Sequence, residues 1–200
     1  MKLVVATGNS GKLREFETAL ETANIEVVGL DMISDRSPIE ETATTFEGNA
    51  KLKAEGCSLG TDLEVLADDS GLEVDALDGQ PGVLSARYGS PDLTDKARCR
   101  ALLKALTDVP EPKRTARFRS VIAIARAGKT LATFDGTAEG TIVLKPKGSN
   151  GFGYDPIFFH PEAGKTFAEL STEEKQARSH RGAAIRRLLE ALQIGKLTLG

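Results

Sequence analysis

The amino-acid sequence predicts an α/β protein in which strands and helices alternate along a chain of 200 residues. Short apolar runs, typical of β-strands, alternate with segments whose apolar residues recur at steps of three and four, as on one face of a helix. Glycine-rich segments mark the changes between the two patterns. Interleaving of this kind indicates a mixed α/β architecture.

Two strands and two helices are predicted in the N-terminal part of the chain. A strand over residues 3–6 leads through the glycine-rich segment 7–12 into a helix, and a second strand over 25–30 precedes a polar loop over 31–41. The capping-box spacing of Thr44 and Glu47 predicts the start of a second helix. The apolar faces of the two helices are Leu13, Phe16, Leu20 and Ala23, and Phe46, Ala50, Ala54 and Cys57.

The alternation continues to the C-terminus. A strand over residues 63–67 is expected to place the segment from Asp68 to Gly71 at its tip, and the cluster 79–82 predicts a turn. Two long strands, over 117–125 and 130–140, are expected to be neighbours joined near Gly128. Ser171 and Glu174 again have capping-box spacing. The apolar faces of the third and last helices are Cys99, Leu102, Leu103 and Leu106, and Ile185, Leu188, Leu189 and Leu192.

Composition excludes several classes of function. The longest apolar runs fall far short of the ~18 residues that a membrane span requires, and the apolar start of the chain is too short for a signal peptide. With a net charge of −3 and no long basic run, nucleic-acid binding is not expected. Neither Cys57 nor Cys99 belongs to a C-x-x-C pair, so we expect reduced thiols, no zinc site and a cytoplasmic location.

The segment Thr7-Gly8-Asn9-Ser10-Gly11-Lys12 lies between a predicted strand and a predicted helix. Backbone N–H groups and the positive end of the helix dipole can bind an anion there, and Lys12 adds a full charge. Because only two residues separate its glycines and leucine follows the lysine, it does not match the P-loop pattern. The alternative is an ordinary strand-to-helix turn that binds no ligand.

One pair of neighbouring carboxylates is a candidate metal site, whereas a second pair is by itself typical of solvated surface. Asp68 and Asp69 follow an apolar strand, and adjacent carboxylates are costly unless a cation lies near them. Mg²⁺ is commonly bound by one or two carboxylates together with substrate phosphates. Glu40 and Glu41 lie in a loop that could reach the same place. A capped turn and a solvated acidic pair are the alternatives.

The C-terminal part contains two segments suited to a planar, hydrogen-bonding ligand. In the segment 151–156, aromatic residues stand between glycines, which let the backbone approach a flat ring closely. Lys175, His180 and Arg181 can all donate hydrogen bonds, which suits a purine with a carbonyl at position 6 and disfavours adenine. A tight turn with core aromatics, or a solvated helix face, would explain the same residues. We assign no role to His160.

Five segments follow one another in a fixed order: TGNSGK, EETATTFEGNA, ADDSG, FGYDPIFF and SHRG. Together they resemble the Ham1 family, the inosine/xanthosine triphosphate pyrophosphatases, over nearly the whole chain, and GQPGVLSARY also fits that family. The resemblance implies a long twisted mixed sheet flanked by helices, as in Ham1- and Maf-like proteins. It also implies a single domain over residues 1–200 with two lobes and an active-site cleft between them.

The resemblance implies a role for each matching residue. Asp69 is the general base and shares a Mg²⁺ ion with Glu41, while Asp68 lies beside them; oxygen ligands suit Mn²⁺ as well. The substrate-binding residues are Thr7, Gly8, Asn9, Ser10, Gly11, Lys12, Lys53, Ser70, Phe152, Gly153, Tyr154, Asp155, Lys175, His180 and Arg181. Two positions depart from the family pattern: Gly48, where many members have an acidic residue, and Tyr154, where some have tryptophan.

The implied activity is hydrolysis of non-standard purine nucleoside triphosphates to the monophosphate and pyrophosphate, by a homodimer that binds neither membranes nor nucleic acids. The sequence does not rank inosine, deoxyinosine and xanthosine triphosphates. A nucleotide-binding sensor without turnover is an alternative, although the pair Asp68 and Asp69 would then lack a purpose. A Maf-type pyrophosphatase for other modified nucleotides is a second alternative, against which SHRG and FGYD argue. A P-loop kinase is the weakest.

Overall fold

The computed structural model describes residues 1–21, 23–33 and 39–200. In this part of the chain, seven strands form one sheet in the order β2-β1-β3-β4-β5-β6-β7. The strands are β1 Lys2–Val5, β2 Glu26–Val28, β3 Val65–Val74, β4 Thr115–Arg126, β5 Lys129–Ile142, β6 Phe158–His160 and β7 Lys165–Thr166. β1 pairs in parallel with β2 and β3, whereas β6 pairs antiparallel with β5 and β7. The predicted mixed α/β fold is therefore confirmed.

Helices flank the sheet, as the alternating pattern predicts. They are α1 Ser10–Glu21, α2 Phe46–Ser58, α3 Asp95–Ala105, α4 Thr172–Arg178 and α5 His180–Gln193. Short 3-10 turns occupy several of the connections, among them Leu30–Met32, which spans the end of the predicted second strand and the start of the predicted polar loop. The part of that loop from 34 to 38 lies outside the described residues. Among the described helices, all are too short or too polar to cross a bilayer.

The chain divides into two compact units, each with its own core. Unit 1 comprises Met1–Asp69, Ser120–Gly136 and Arg181–Gly200, and unit 2 comprises Ser70–Arg119 and Thr137–His180. The core of unit 1 contains Leu3, Phe16, Leu20, Leu66, Ile122, Ile185 and Leu188, among others. The core of unit 2 contains Leu72, Val74, Leu102, Phe118, Tyr154, Phe158 and Phe167, among others. The predicted cleft between two lobes stays a prediction.

Strand β3 differs from its sequence-based expectation. The apolar run at 63–67 predicts a strand that ends before Asp68, but β3 continues to Val74. It continues because Leu72 and Val74 are fully buried in the core of unit 2. Asp68 and Asp69 therefore lie in the interior of a ten-residue strand and are themselves nearly inaccessible to solvent.

Helix boundaries also differ at three places. Thr45, not Thr44, caps α2, because its hydroxyl accepts a hydrogen bond from the N–H of Gly48. Ala23 follows the end of α1 and is exposed, so the buried face uses Ala19 instead. The capping box predicted at Ser171 is present, but it opens the short helix α4, and a separate helix α5, which ends at Gln193, carries the predicted apolar face.

Candidate active site

The predicted anion-binding segment 7–12 covers the end of the connection from β1 and the first residues of α1, and its residues 8–10 are exposed. The side chain of Asn9 caps the N-terminus of α1: its Oδ1 accepts hydrogen bonds from the N–H groups of Gly11 and Lys12, at 2.9 and 3.0 Å. Asparagine is favoured at this position because it satisfies N–H groups that have no partner within the helix. The N–H groups of Gly11 and Lys12 therefore already have an acceptor within the protein, and the assignment of the segment 7–12 to phosphate binding stays a prediction.

Asp68 lies in the centre of a buried ion-pair network within unit 1. Nε and Nη2 of Arg181 donate to its Oδ2 at 3.2 and 3.0 Å, and Nζ of Lys12 lies 3.1 Å from its Oδ1. Arg181 also pairs with Glu15 on α1, and its side chain is 1% exposed. Burial acts to raise the pKa of Asp68, but the charges of Lys12 and Arg181 outweigh it and lower the pKa. Asp68 is consequently ionised throughout the neutral range.

Asp69 faces a second set of partners in the same unit. Nδ2 of Asn49 donates to its Oδ2 at 3.1 Å, and Nζ of Lys53 lies 3.7 Å from its Oδ1. Burial raises the pKa of Asp69, Lys53 lowers it, and the negative charge of Glu41 raises it further; the net shift is upward. A carboxylate with a raised pKa is a better general base near neutral pH.

Lys53 connects the two carboxylates that the sequence assigns to a metal. Its Nζ donates to the backbone carbonyl of Asp68 at 2.6 Å and lies 3.1 Å from Oε1 of Glu41. The loop that carries Glu41 is tied to the same site, since Oδ1 of Asn49 accepts from the N–H of Ala43 at 2.9 Å. Lys53 thus brings Glu41 and Asp69 to one site, and the metal that the resemblance assigns to these two carboxylates stays a prediction.

The carboxylate oxygens of Glu41 and Asp69 are suitable ligands for a hard divalent cation. Glu41 and Asp69 offer carboxylate oxygens, and Glu41 disfavours the charged form of Asp69, a repulsion that a cation would relieve. Within the described ranges there is no group of three or more His, Cys, Asp or Glu side chains that could hold a metal ion. The protein therefore offers two carboxylates, and further oxygens would have to come from substrate phosphates and water.

The glycine-rich segment of unit 2 is fixed from several sides. Oδ2 of Asp155 accepts a hydrogen bond from the N–H of Phe152 at 2.9 Å and from Nζ of Lys175 at 2.6 Å. The same ammonium group lies 4.6 Å from the centre of the Phe152 ring. The hydroxyl of Tyr154 donates to the carbonyl of Ser85 at 2.9 Å. Phe152, Asp155 and Lys175 thus form one cluster, while the Tyr154 ring belongs to the core.

His180 and Arg181 are adjacent in sequence but have different surroundings. The imidazole of His180 belongs to unit 2, is buried, and stacks on Phe118 with ring centroids 4.7 Å apart. The guanidinium of Arg181 belongs to unit 1 and contacts Glu15 and Asp68. Ser70, assigned to substrate contact, is half-buried in β3 at the start of unit 2. The roles assigned to these residues in substrate binding stay predictions.

Two residues of the site, Asn49 and Glu15, were not singled out by the sequence pattern, whereas Lys53 was. Asn49 carries a signal, because it is a polar residue three positions after Phe46, on the buried face of α2. Lys53 occupies the same face one turn later. Glu15 carries no comparable signal: it is one of several charged residues of α1, and its partner Arg181 is far away in the sequence.

The fold and these charged groups define an α/β protein with a polar site suited to a phosphorylated ligand. The chain belongs to the Ham1 family, whose profile matches residues 3–191. It is 51% identical to a dITP/XTP pyrophosphatase of Nitratidesulfovibrio vulgaris, with 94% of each chain covered. A dITP/XTP pyrophosphatase of Geobacillus kaustophilus is 47% identical, covering 94% of this chain and 93% of the relative.

A solved structure extends the likeness to three dimensions. The HAM1 protein from Coxiella burnetii superimposes with a TM-score of 0.88 at 41% identity, over 97% of this chain and 99% of that chain. The long mixed sheet with flanking helices that the resemblance implies is therefore confirmed.

Proposed function

We propose that this protein hydrolyses inosine, deoxyinosine and xanthosine triphosphates to the nucleoside monophosphate and pyrophosphate. The observation that carries the proposal is the likeness, over nearly the whole chain, to relatives named dITP/XTP pyrophosphatase. The charged cluster of unit 1 supports it, since two lysines and three carboxylates supply the groups that hydrolysis of a polyphosphate requires. These are Lys12, Lys53, Glu41, Asp68 and Asp69.

In the proposed reaction, a water oxygen bonds to the α-phosphorus while the bond from that phosphorus to the bridging α-β oxygen breaks. Asp69 accepts the proton from the water, and pyrophosphate leaves with the bridging oxygen. Lys12 and Lys53 lie beside the carboxylates and would stabilise negative charge on the phosphates. Asn49 fixes the orientation of Asp69 through its hydrogen bond.

A magnesium ion held by Glu41 and Asp69 belongs to this proposal. When bound, Mg²⁺ supplies positive charge against the phosphate oxygens. Lys53 presently contacts both carboxylates, so it would share them with the metal or release them. Oxygen ligands also suit Mn²⁺.

Base selection is assigned to unit 2. The ammonium of Lys175 is held by Asp155 and lies over one face of the Phe152 ring, so a hydrogen-bond donor stands next to a flat apolar group. A donor favours the 6-carbonyl group of hypoxanthine or xanthine over the 6-amino group of adenine. His180 would add a second donor.

We further propose that the protein acts in the cytoplasm as a homodimer. Cys57 and Cys99 are both free thiols, which suits a reducing compartment. A symmetric pair is the commonest assembly of soluble oligomers. Sedimentation at micromolar concentration would give twice the chain mass of 21.3 kDa, and a value of one chain mass would contradict the dimer.

A pyrophosphate-release assay tests the activity. Inosine, xanthosine, adenosine and guanosine triphosphates would each be supplied, with magnesium or with a chelator, and pyrimidine triphosphates would serve as a further set. We expect magnesium-dependent release from inosine and xanthosine triphosphates. Binding without release would favour the non-catalytic sensor, and preferential release from pyrimidine nucleotides would favour the Maf-type alternative.

A further inference from the structure

Helix α3 holds the backbone of Gly153 by two side chains one turn apart. Oδ2 of Asp95 accepts a hydrogen bond from the N–H of Gly153 at 2.7 Å. The thiol of Cys99 donates to the carbonyl of the same glycine, with Sγ 3.3 Å from the oxygen. Residues four apart on a helix lie on one face, so both contacts come from the same side of α3. None of the roles assigned above involves this helix.

Gly153 is the residue on which the shape of the segment depends. Its φ of +62° lies in the left-handed region, which a glycine adopts without strain. It separates Phe152, whose ring lies beneath the ammonium of Lys175, from Tyr154, whose hydroxyl reaches Ser85. Fixing the N–H of Gly153 therefore fixes the peptide group that joins it to Phe152.

The carboxylate of Asp95 is itself held in place. Nη1 of Arg98 lies 2.9 Å from its Oδ1, and Nη2 of Arg98 donates to the carbonyl of Leu93 at 2.8 Å. Thr94 caps the helix by accepting from the N–H of Ala97 at 3.3 Å. Burial raises the pKa of Cys99 to about 12, so its S–H remains available as a donor. The two contacts to Gly153 thus start from a rigid helix end.

We propose that Asp95 is a positioning residue for base recognition: by holding the N–H of Gly153, it keeps the Phe152 ring in register with the Lys175 ammonium. The proposal rests on the proposed function and adds a residue outside the substrate contacts. Asp95 does not touch the base or the phosphates in this scheme. Its loss should therefore affect binding and selectivity, and leave the hydrolytic step largely intact.

Three variants separate this role from the alternatives. Asp95→Ala removes the acceptor, whereas Asp95→Asn keeps an oxygen acceptor for Gly153 but loses the charge that pairs with Arg98. Thr94→Ala is the matched control, since it weakens the same helix end and leaves the contact to Gly153 in place. Steady-state kinetics with inosine and adenosine triphosphates would be measured for each, with a thermal melt to establish folding.

For Asp95→Ala we expect KM for inosine triphosphate to rise about tenfold, as for loss of one charge-assisted hydrogen bond, with kcat changed less than about twofold. Its preference for inosine over adenosine triphosphate should fall. Asp95→Asn should have a KM and a preference for inosine triphosphate close to those of the wild type. Thr94→Ala should resemble the wild type in both quantities.

Wild-type KM and preference in Asp95→Ala would overturn the proposal, as would an equal loss in Thr94→Ala, which would trace the effect to helix stability. A loss in Asp95→Asn equal to that in Asp95→Ala would assign the effect to the Arg98 ion pair instead. The proposed function fails separately, if the wild type itself releases no pyrophosphate from inosine triphosphate; the positioning role then fails with it.

Discussion

Arg181 donates two hydrogen bonds to one oxygen of Asp68, through Nε at 3.2 Å and Nη2 at 3.0 Å, and both side chains are 1% exposed. The same guanidinium pairs with Glu15, and the same carboxylate faces Lys12. A residue that the sequence motif assigns to base reading is thus bonded to the strand that carries the carboxylate pair. The four residues connect α1, β3 and the start of α5 within unit 1.

We expect Asp68→Asn to lower the free energy of unfolding by about 3 kcal/mol at pH 7, because it removes one charge from a buried network. The pKa of Asp68 is lowered in the folded state, so its ionised form contributes stability above its ordinary pKa of 3.8. This contribution is lost as pH falls further. The deficit should be equal at pH 7 and pH 5 and smaller below about pH 4.

Urea denaturation in the presence of a chelator, at several pH values, would measure this deficit without interference from bound metal. The exposed residue Asp62 provides a control, since Asp62→Asn should leave the unfolding free energy nearly unchanged. A deficit for Asp68→Asn that grew as pH fell would contradict the assigned direction of the pKa.

Arg181→Ala should lower both stability and turnover, because it leaves Asp68 and Glu15 buried without the cation that they share. We expect the free energy of unfolding to fall by about 3–5 kcal/mol. From these contacts we expect turnover of inosine and adenosine triphosphates to fall by the same factor. The ratio of the two rates, measured below the melting temperature of the variant, distinguishes a role of Arg181 in the ion-pair network from a role in base reading. A selective loss for inosine triphosphate would favour the base-reading role implied by the family resemblance.

Asp69→Asn should retain the fold and lose most turnover, by a factor of about 10² to 10⁴, as for removal of a general base. The amide can still accept the hydrogen bond from Asn49, so the melting temperature should change little. Pyrophosphate release under saturating magnesium and inosine triphosphate is the measurement. Near-wild-type turnover in a folded variant would reject Asp69 as the base.

Gly151 and Gly153 form a matched pair for testing whether the position of Asp155 in the segment 151–156 affects substrate binding. Both have positive φ, so alanine at either position carries a backbone strain of about 1–2 kcal/mol. An added Cβ at Gly151 would also collide with the carboxylate of Asp155, whereas at Gly153 it would meet open space. We therefore expect Gly151→Ala to raise KM for inosine triphosphate well above the value for Gly153→Ala. Equal kinetic effects would show that displacement of Asp155 is unimportant.

The sequence by itself determined the fold class, the family and most of the helices and strands. It did so through local features, such as the alternation of apolar periods and the capping box at Ser171, which depend on near neighbours in the chain. The turn at Gly128 and the pairing of the two long strands that it joins were also predicted from local sequence, and both are present in the structure. The family motifs also named Glu41, Lys53 and Asp69, which the structure brings together.

Only the tertiary structure decided which charges meet. The extension of β3 through Asp68 and Asp69 depends on burial of Leu72 and Val74 in the core of unit 2, which no local pattern around Asp68 reports. The pairs of Arg181 with Glu15 and of Asp95 with Gly153 join residues far apart in the chain. Charges and hydrogen-bonding groups find their partners through space, because burial leaves them uncompensated without one. Their pairing is therefore set by packing rather than by spacing along the sequence.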